Sequence, residues 1–288
     1  MLVQVQIEEL PMLQYAATTA TGPAGSLHAR TERTANEASY AGPHHWQIEG
    51  WAKWARRVMR RRAYTRWVDR YCHPLTVKGL ENLSAMDGPA IYVANHQSHM
   101  DTLVLFEAMP ETIKRNLYFG AAADRWYVRG KRKLVLQPWY QSMVLGNFPI
   151  VRGGGAKALD YAGWLLRQGC NVCIFPEGTR TTKDELGRFK PGVALLALEH
   201  DVPVVPVYLS GLREMRPKGA LHVKPGPAGV EVFAPVRFVA GTTVDDATAQ
   251  LRAVLARRHA EERAAIAANE EAGAFVYESR SGARDEAA

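Results

Sequence analysis

The chain contains only three cysteines, Cys72, Cys170 and Cys173, in 288 residues. Their odd number rules out a disulfide scaffold, and a chain of this length buries enough surface to need none. Such usage points to a reducing compartment. A secretory leader is also missing: Glu8 and Glu9 stand where a cationic stretch belongs, and no long apolar core follows. The longest charge-free apolar run, residues 134–151, has 18 residues and barely reaches the length of a membrane span. Pro138, Gln141, Gly146, Asn147 and Pro149 within it would leave backbone groups unpaired in hydrocarbon, so it reads as a buried or interfacial segment. There is no GxxxxGK[ST] phosphate loop and no GxSxG nucleophile elbow. The histidines lack ligand spacing, and Cys170 and Cys173 lie three apart in an expected strand, on opposite faces, so no metal site is expected.

What is present is an ordinary globular composition, 47% hydrophobic and 23% charged, with a net charge of +7. The excess is local. Residues 51–70 hold eight cations (Lys53, Arg56, Arg57, Arg60, Arg61, Arg62, Arg66 and Arg70) against Asp69, which accounts for the whole surplus. The remainder is neutral on balance, which argues against general nucleic-acid binding. Trp51, Trp54, Ala55, Val58, Met59, Ala63, Tyr64, Trp67, Val68 and Tyr71 recur at three- and four-residue steps, the spacing of one helical face. An arginine-rich helix with tryptophans on its apolar side suits an anionic lipid surface. A core-packed helix with a solvated basic face, or an RNA-binding arm, has the same pattern. Three tryptophans in 17 residues favour the lipid reading.

Along the chain, residues 1–45 read as a flexible extension without sustained period, and 46–73 as the basic amphipathic membrane-interface helix. Short apolar runs then alternate with helical patterns through a catalytic domain at 74–240, followed by a C-terminal helix at 241–278 and a disordered tail at 279–288. Strands are expected at 75–78, 90–94, 116–120, 148–151, 171–175, 204–209, 221–224 and 230–233, and helices at 101–108, 156–167, 193–199 and 245–271. The alternation predicts an α/β fold, a single domain with a mostly parallel sheet covered by helices.

Three segments carry polar chemistry directly after expected strands. In Asn95-His96-Gln97-Ser98-His99-Met100-Asp101, His96 and Asp101 can meet only if His96 sits in a turn and Asp101 in the first turn of the next helix. Ser98 and Asp101 fit a capping box, which supports that placement; a purely structural cap gives the same spelling. His99 is the poorer base. Phe175-Pro176-Glu177-Gly178-Thr179-Arg180 combines a turn that can converge backbone amides with a guanidinium fork, and Arg188 and Lys190 follow; a tight turn with a surface salt bridge would look alike. Gly146-Asn147-Phe148-Pro149-Ile150-Val151-Arg152 runs into Gly153-Gly154-Gly155 at a helix start, a natural anion site. Gly153 to Ala158 also matches a loose dinucleotide fingerprint, which leaves a nucleotide-binding oxidoreductase as a distant alternative. A catalytically silent membrane-binding module is a third reading. If the strands before these segments run parallel, all three emerge on one carboxyl edge of the sheet, where α/β proteins place ligands.

These blocks resemble the glycerolipid acyltransferases, best represented by the 1-acylglycerol-3-phosphate acyltransferases. The NHxSxxD block is matched by Asn95 to Asp101 and the FPEGTR block by Phe175 to Arg180. A hydrophobic-proline block resembles Val202 to Val207, and the intermediate block appears as GNFPIVR, with Val151 where the family has an acid. The resemblance covers about 75–215. It implies His96 as general base with Asp101 as its partner; an imidazole of ordinary pKa ~6.5 can accept a proton at neutral pH. It implies acceptor binding by Arg152, Glu177, Gly178, Thr179, Arg180 and Lys190. The implied reaction is O-acyl transfer from acyl-CoA or acyl carrier protein to a lysophospholipid, foremost 1-acylglycerol-3-phosphate, with another lysolipid acceptor as the alternative. No cofactor beyond the acyl thioester co-substrate is expected. The implied setting is peripheral, on the cytoplasmic face of an anionic membrane, with no nucleic-acid partner.

Overall fold

A computed structural model describes residues 43–127, 137–153, 155–181 and 185–285. Nearly all of the expected N-terminal extension, residues 1–45, lies outside them.

Seven strands form one sheet: β1 Cys72–Lys78, β2 Ile91–Ala94, β3 Leu117–Ala122, β4 Asn147–Ile150, β5 Asn171–Ile174, β6 Val204–Ser210 and β7 Gly226–Val232. Their order is β1-β7-β6-β2-β5-β3-β4. From β6 to β4 every pair is parallel, whereas β7 is antiparallel to β6 and parallel to β1. The expected mostly parallel α/β sheet is therefore present. The longer helices are α1 Gly50–Tyr71, α2 Asp101–Ala108, α3 Asp160–Arg167, α4 Gly192–His200 and α5 Val244–Asp285.

Side-chain alternation along the strands divides the core into two layers. Tyr92 and Ala94 of β2 pack with Leu117, Phe119, Cys173, Val205 and Val207 under α1 and α2. Ile91 and Val93 face the other way, with Tyr118, Val172 and Ile174 under α3, α4 and α5. All of β2 and β5 is buried, as a strand covered by helices on both faces must be. Cys173 lies in the first layer and Cys170 in the second, which agrees with the expected opposite orientation.

Three expectations need correction. Residues 221–224 are not a strand. Pro225 ends the run, Leu221 is exposed, and the Lys224 amide turns back to the Met215 carbonyl; an exposed apolar alternation without a neighbour has no ladder to join. The C-terminal helix, expected at 241–278 before a disordered tail at 279–288, runs as α5 from Val244 to Asp285. The third concerns α1. Its inward stripe is Ala52, Arg56, Arg60, Tyr64, Trp67 and Val68, and Trp51, Trp54 and Val58 point outward. Two arginines thus face the protein and two tryptophans face solvent, which splits the apolar face read from the sequence. The reason is hydrogen bonding. Arg56 donates from Nη2 to Gln47 O (2.8 Å) and from Nε to Met143 O (3.1 Å), and lies over the Tyr118 ring. Arg60 donates to Leu145 O and stacks on Phe106 at 4.4 Å. Guanidinium forks can satisfy loop carbonyls that would otherwise be buried unpaired, and the rings accommodate the charge. Gly146, at φ +56°, leaves room for them, since a Cβ there would meet Arg60 Nη2 and Arg56 Cδ.

No described helix is long and apolar enough to cross a membrane. The described part of the apolar run 134–151 folds into the short helix Pro138–Met143 and β4.

Candidate active site

The loop between β2 and α2 begins with Asn95, which is buried and clamps the neighbouring strand: its Nδ2 donates to Leu209 O (2.9 Å) and its Oδ1 accepts from Leu209 N (2.8 Å). His96 follows in the turn. Its Nδ1 lies 2.7 Å from Asp101 Oδ2. The Asp101 carboxylate is fully buried and also accepts the amides of Gln97 (2.7 Å) and Ser98 (3.0 Å). With Asp101 an acceptor throughout, the network assigns the proton to His96 Nδ1 and leaves Nε2 with its lone pair. The ring stacks on Phe175 at 4.4 Å, and its side chain keeps 20% exposure toward the cleft. The expected meeting of His96 and Asp101 across a turn is what the chain adopts. The capping box is only half formed. Asp101 reaches back to the Ser98 amide, but the Ser98 hydroxyl donates to Arg216 O (3.1 Å) and does not cap α2.

The parallel strands bring the other motifs to the same edge. A cleft of about 440 Å³ is lined by His96, Arg152, Gly178, Thr179, Arg180 and Lys190, together with Leu103, Leu145, Ile174, Tyr64 and Gln141. Among the expected acceptor-binding residues, Arg180 is the most deeply set, 4% exposed, with Nη1 lacking a hydrogen-bond partner among the described residues. Burial, with Arg125 and Arg216 nearby, pushes its pKa down to about 10, so it remains charged. Gly178 turns at φ +68°, and a Cβ there would fall 2.7 Å from Lys190 Nζ.

Two expected binding residues do other work. Glu177 does not line this cleft. Its Oε1 accepts the His96 amide (2.8 Å) and its Oε2 the Gly187 amide (2.9 Å), so it fixes the backbone beneath the histidine. Burial raises its pKa, and these two amides oppose that rise. Arg152 lines the cleft but is exposed and forms a forked pair with Asp124, its Nε 3.0 Å from Oδ1. The glycines after it do not open an α-helix: Gly155–Leu159 is a 3-10 turn, and Asp160 places an acid in the first turn of α3. A helix N-terminal anion site is therefore not built there.

The sequence reading passed over Arg125, Trp126 and Arg216. Arg125 and Trp126 follow β3 and line the cleft. The rule that singled out the other motifs, polar residues at the carboxyl end of a parallel strand, applied to them too. His99 also lines the cleft, edge-on to Trp126 at 5.3 Å. Burial, then Arg180 and Arg125, hold its pKa far below the ordinary value, so it is neutral.

The acyltransferase family model matches residues 74–210. Over that segment, just under half of its length, the chain is similar to this family. Among curated relatives, a chloroplastic 1-acyl-sn-glycerol-3-phosphate acyltransferase of Arabidopsis thaliana is 33% identical over 151 residues, 51% of this chain and 39% of the relative. The alpha form of 1-acyl-sn-glycerol-3-phosphate acyltransferase from mouse is 30% identical over 166 residues, 56% of this chain and 54% of the relative. The chain thus spans about half or less of the length of these relatives. The crystal structure of the 1-acyl-sn-glycerophosphate acyltransferase PlsC of Thermotoga maritima superimposes with a TM-score of 0.57 at 24% identity, covering 81% of this chain and 89% of that one, and so shares the fold.

Proposed function

We propose that this acyltransferase moves a fatty acyl group from an acyl thioester, acyl-CoA or acyl carrier protein, to the free hydroxyl of a lysophospholipid, foremost 1-acylglycerol-3-phosphate, giving phosphatidic acid. The observation that carries this is the His96–Asp101 pair opening on the same cleft as the Arg180 guanidinium. His96 Nε2 accepts the hydroxyl proton as the oxygen attacks the thioester carbonyl, while Asp101 holds the ring and balances the imidazolium. Collapse of the tetrahedral intermediate breaks the C–S bond, and the imidazolium returns the proton to the departing sulfur. The acyl group never rests on the protein. A base so placed contributes about 10²–10⁴-fold. A phosphomonoester carries nearly two negative charges, which Arg180, Lys190 and Arg125 suit. The acyl chain suits the apolar wall of Leu103, Leu145 and Ile174. Names of the relatives favour the same acceptor.

We place the enzyme, without further cofactor, at the cytoplasmic face of an anionic membrane, as a peripheral protein. The exposed Trp51 and Trp54 beside the cations of α1 support this.

The test is transfer of labelled acyl groups from acyl-CoA and from acyl carrier protein to a panel of phosphorylated and unphosphorylated lysolipids. His96→Ala is expected to lose transfer while keeping a native circular dichroism spectrum, at a modestly lower Tm. Undiminished turnover in that variant removes the mechanism, and equal use of unphosphorylated acceptors removes the assigned substrate.

A further inference from the structure

Beside the catalytic cleft, and sharing none of its lining residues, is a groove of about 710 Å³ between α1, the end of α2 and residues 111–116. Lys53, Arg57, Arg60, Arg61, Lys114 and Arg115 line it, and only Glu107 and Glu111 oppose them. Both acids are engaged. Arg57 pairs with Glu111 at 3.2 Å, Lys114 lies 3.8 Å from Glu107 and 3.9 Å from Glu111, and the Thr65 hydroxyl donates to Glu107. Lys53, Arg61 and Arg115 make no ion pair among the described residues. The floor is Phe106, capped by Arg60 at 4.4 Å and Lys114 at 5.7 Å. Arg60 is 2% exposed, and although its Nη2 is held by Leu145 O, its Nε has no hydrogen-bond partner among the described residues. A buried guanidinium with an open donor, beside three cations that make no ion pair, has the chemistry of a phosphate site. Trp54, two-thirds exposed, forms part of the rim.

We propose that this groove binds the phosphate of an anionic phospholipid headgroup, with the Trp54 indole seated in the interfacial layer beside it. The charge complements the ligand, and an exposed indole at the rim favours a lipid over a free phosphate in solution. The proposal rests on the membrane reading above and makes it a site, where diffuse attraction would need no groove.

The experiment is flotation of the full chain with phosphatidylcholine vesicles, with and without phosphatidic acid. A triple variant, Lys53→Gln, Arg61→Gln and Arg115→Gln, is compared with a control that removes equal charge elsewhere on α1, Arg62→Gln, Arg66→Gln and Arg70→Gln. The groove variant is expected to lose ~10-fold or more in affinity for the anionic vesicles and the control ~3-fold at most. Acyl transfer between detergent-dispersed substrates at saturation remains unchanged in both, which shows that they fold. A native chain that does not bind anionic vesicles ends the membrane reading, and this proposal with it. Native binding that survives in the groove variant, or that falls equally in both variants, overturns the groove alone. Release of the native chain from vesicles by millimolar inorganic phosphate or CoA would assign the groove to a soluble phosphate and overturn the lipid occupant.

Discussion

The loops after β2 and after β4 both leave the carboxyl edge of the parallel sheet, and both carry a cationic or titratable group into the cleft. They differ in how that group is held. His96 is fixed by a buried carboxylate, by ring stacking on Phe175, and through its own amide by Glu177. Arg152 is held by one exposed ion pair with Asp124. A buried, fully paired network has one low-energy arrangement, because each broken bond leaves an unpaired polar group away from water. A surface pair is exchanged for water at little cost. The first loop is built to place an atom; the second can adjust to whatever enters.

The comparison can be broken experimentally. Asp101→Asn is expected to give the largest effect, a kcat lower by about 10²–10⁴-fold, because the amide can no longer balance the imidazolium; steady-state kinetics at saturating acceptor would read it. Next comes Glu177→Ala, which strands the His96 and Gly187 amides at about 1–3 kcal/mol each. Chemical denaturation should show that loss, and kcat should fall with the acceptor KM unchanged. A raised KM with intact kcat would return Glu177 to a binding role. Arg152→Ala should change kcat/KM by less than ~5-fold, since an exposed pair is worth about 0–1 kcal/mol.

The smallest effect concerns pH. His99 has a folded-state pKa below its unfolded value, so between that value and the ordinary ~6.5 the unfolded chain binds a proton that the folded chain does not. Stability is therefore full above pH 6.5 and declines as pH falls below it. His99→Gln should flatten the dependence of Tm on pH between 6.5 and 5 by about a few degrees. An unchanged slope would mean that neither burial nor the neighbouring guanidiniums hold this ring neutral.

Much of this arrangement was legible in the residues. The five-residue step from His96 to Asp101 forces a turn followed by a helix start, and α2 begins at Asp101 as expected. The parallel order followed from alternating apolar runs and helices. What escaped did so for identifiable reasons. Periodicity counts every arginine as polar, so it could not show that Arg56 and Arg60 turn inward to loop carbonyls supplied by residues some 85 positions away. Glu177 shares a turn with Arg180, and only the path of the chain decides which faces the cleft. Arg125 lies in no motif, and its role depends on where β3 ends. Residues 221–224 have the composition of a strand but no neighbour to pair with.

The Arg60 guanidinium has a further meaning. One nitrogen grips the carbonyl of Leu145, which lines the candidate cleft, while the same group lines the cationic groove outside. A single side chain thus ties the two linings together. On the proposed reading, substitutions at Leu145 are to be scored for chain preference and for vesicle binding together.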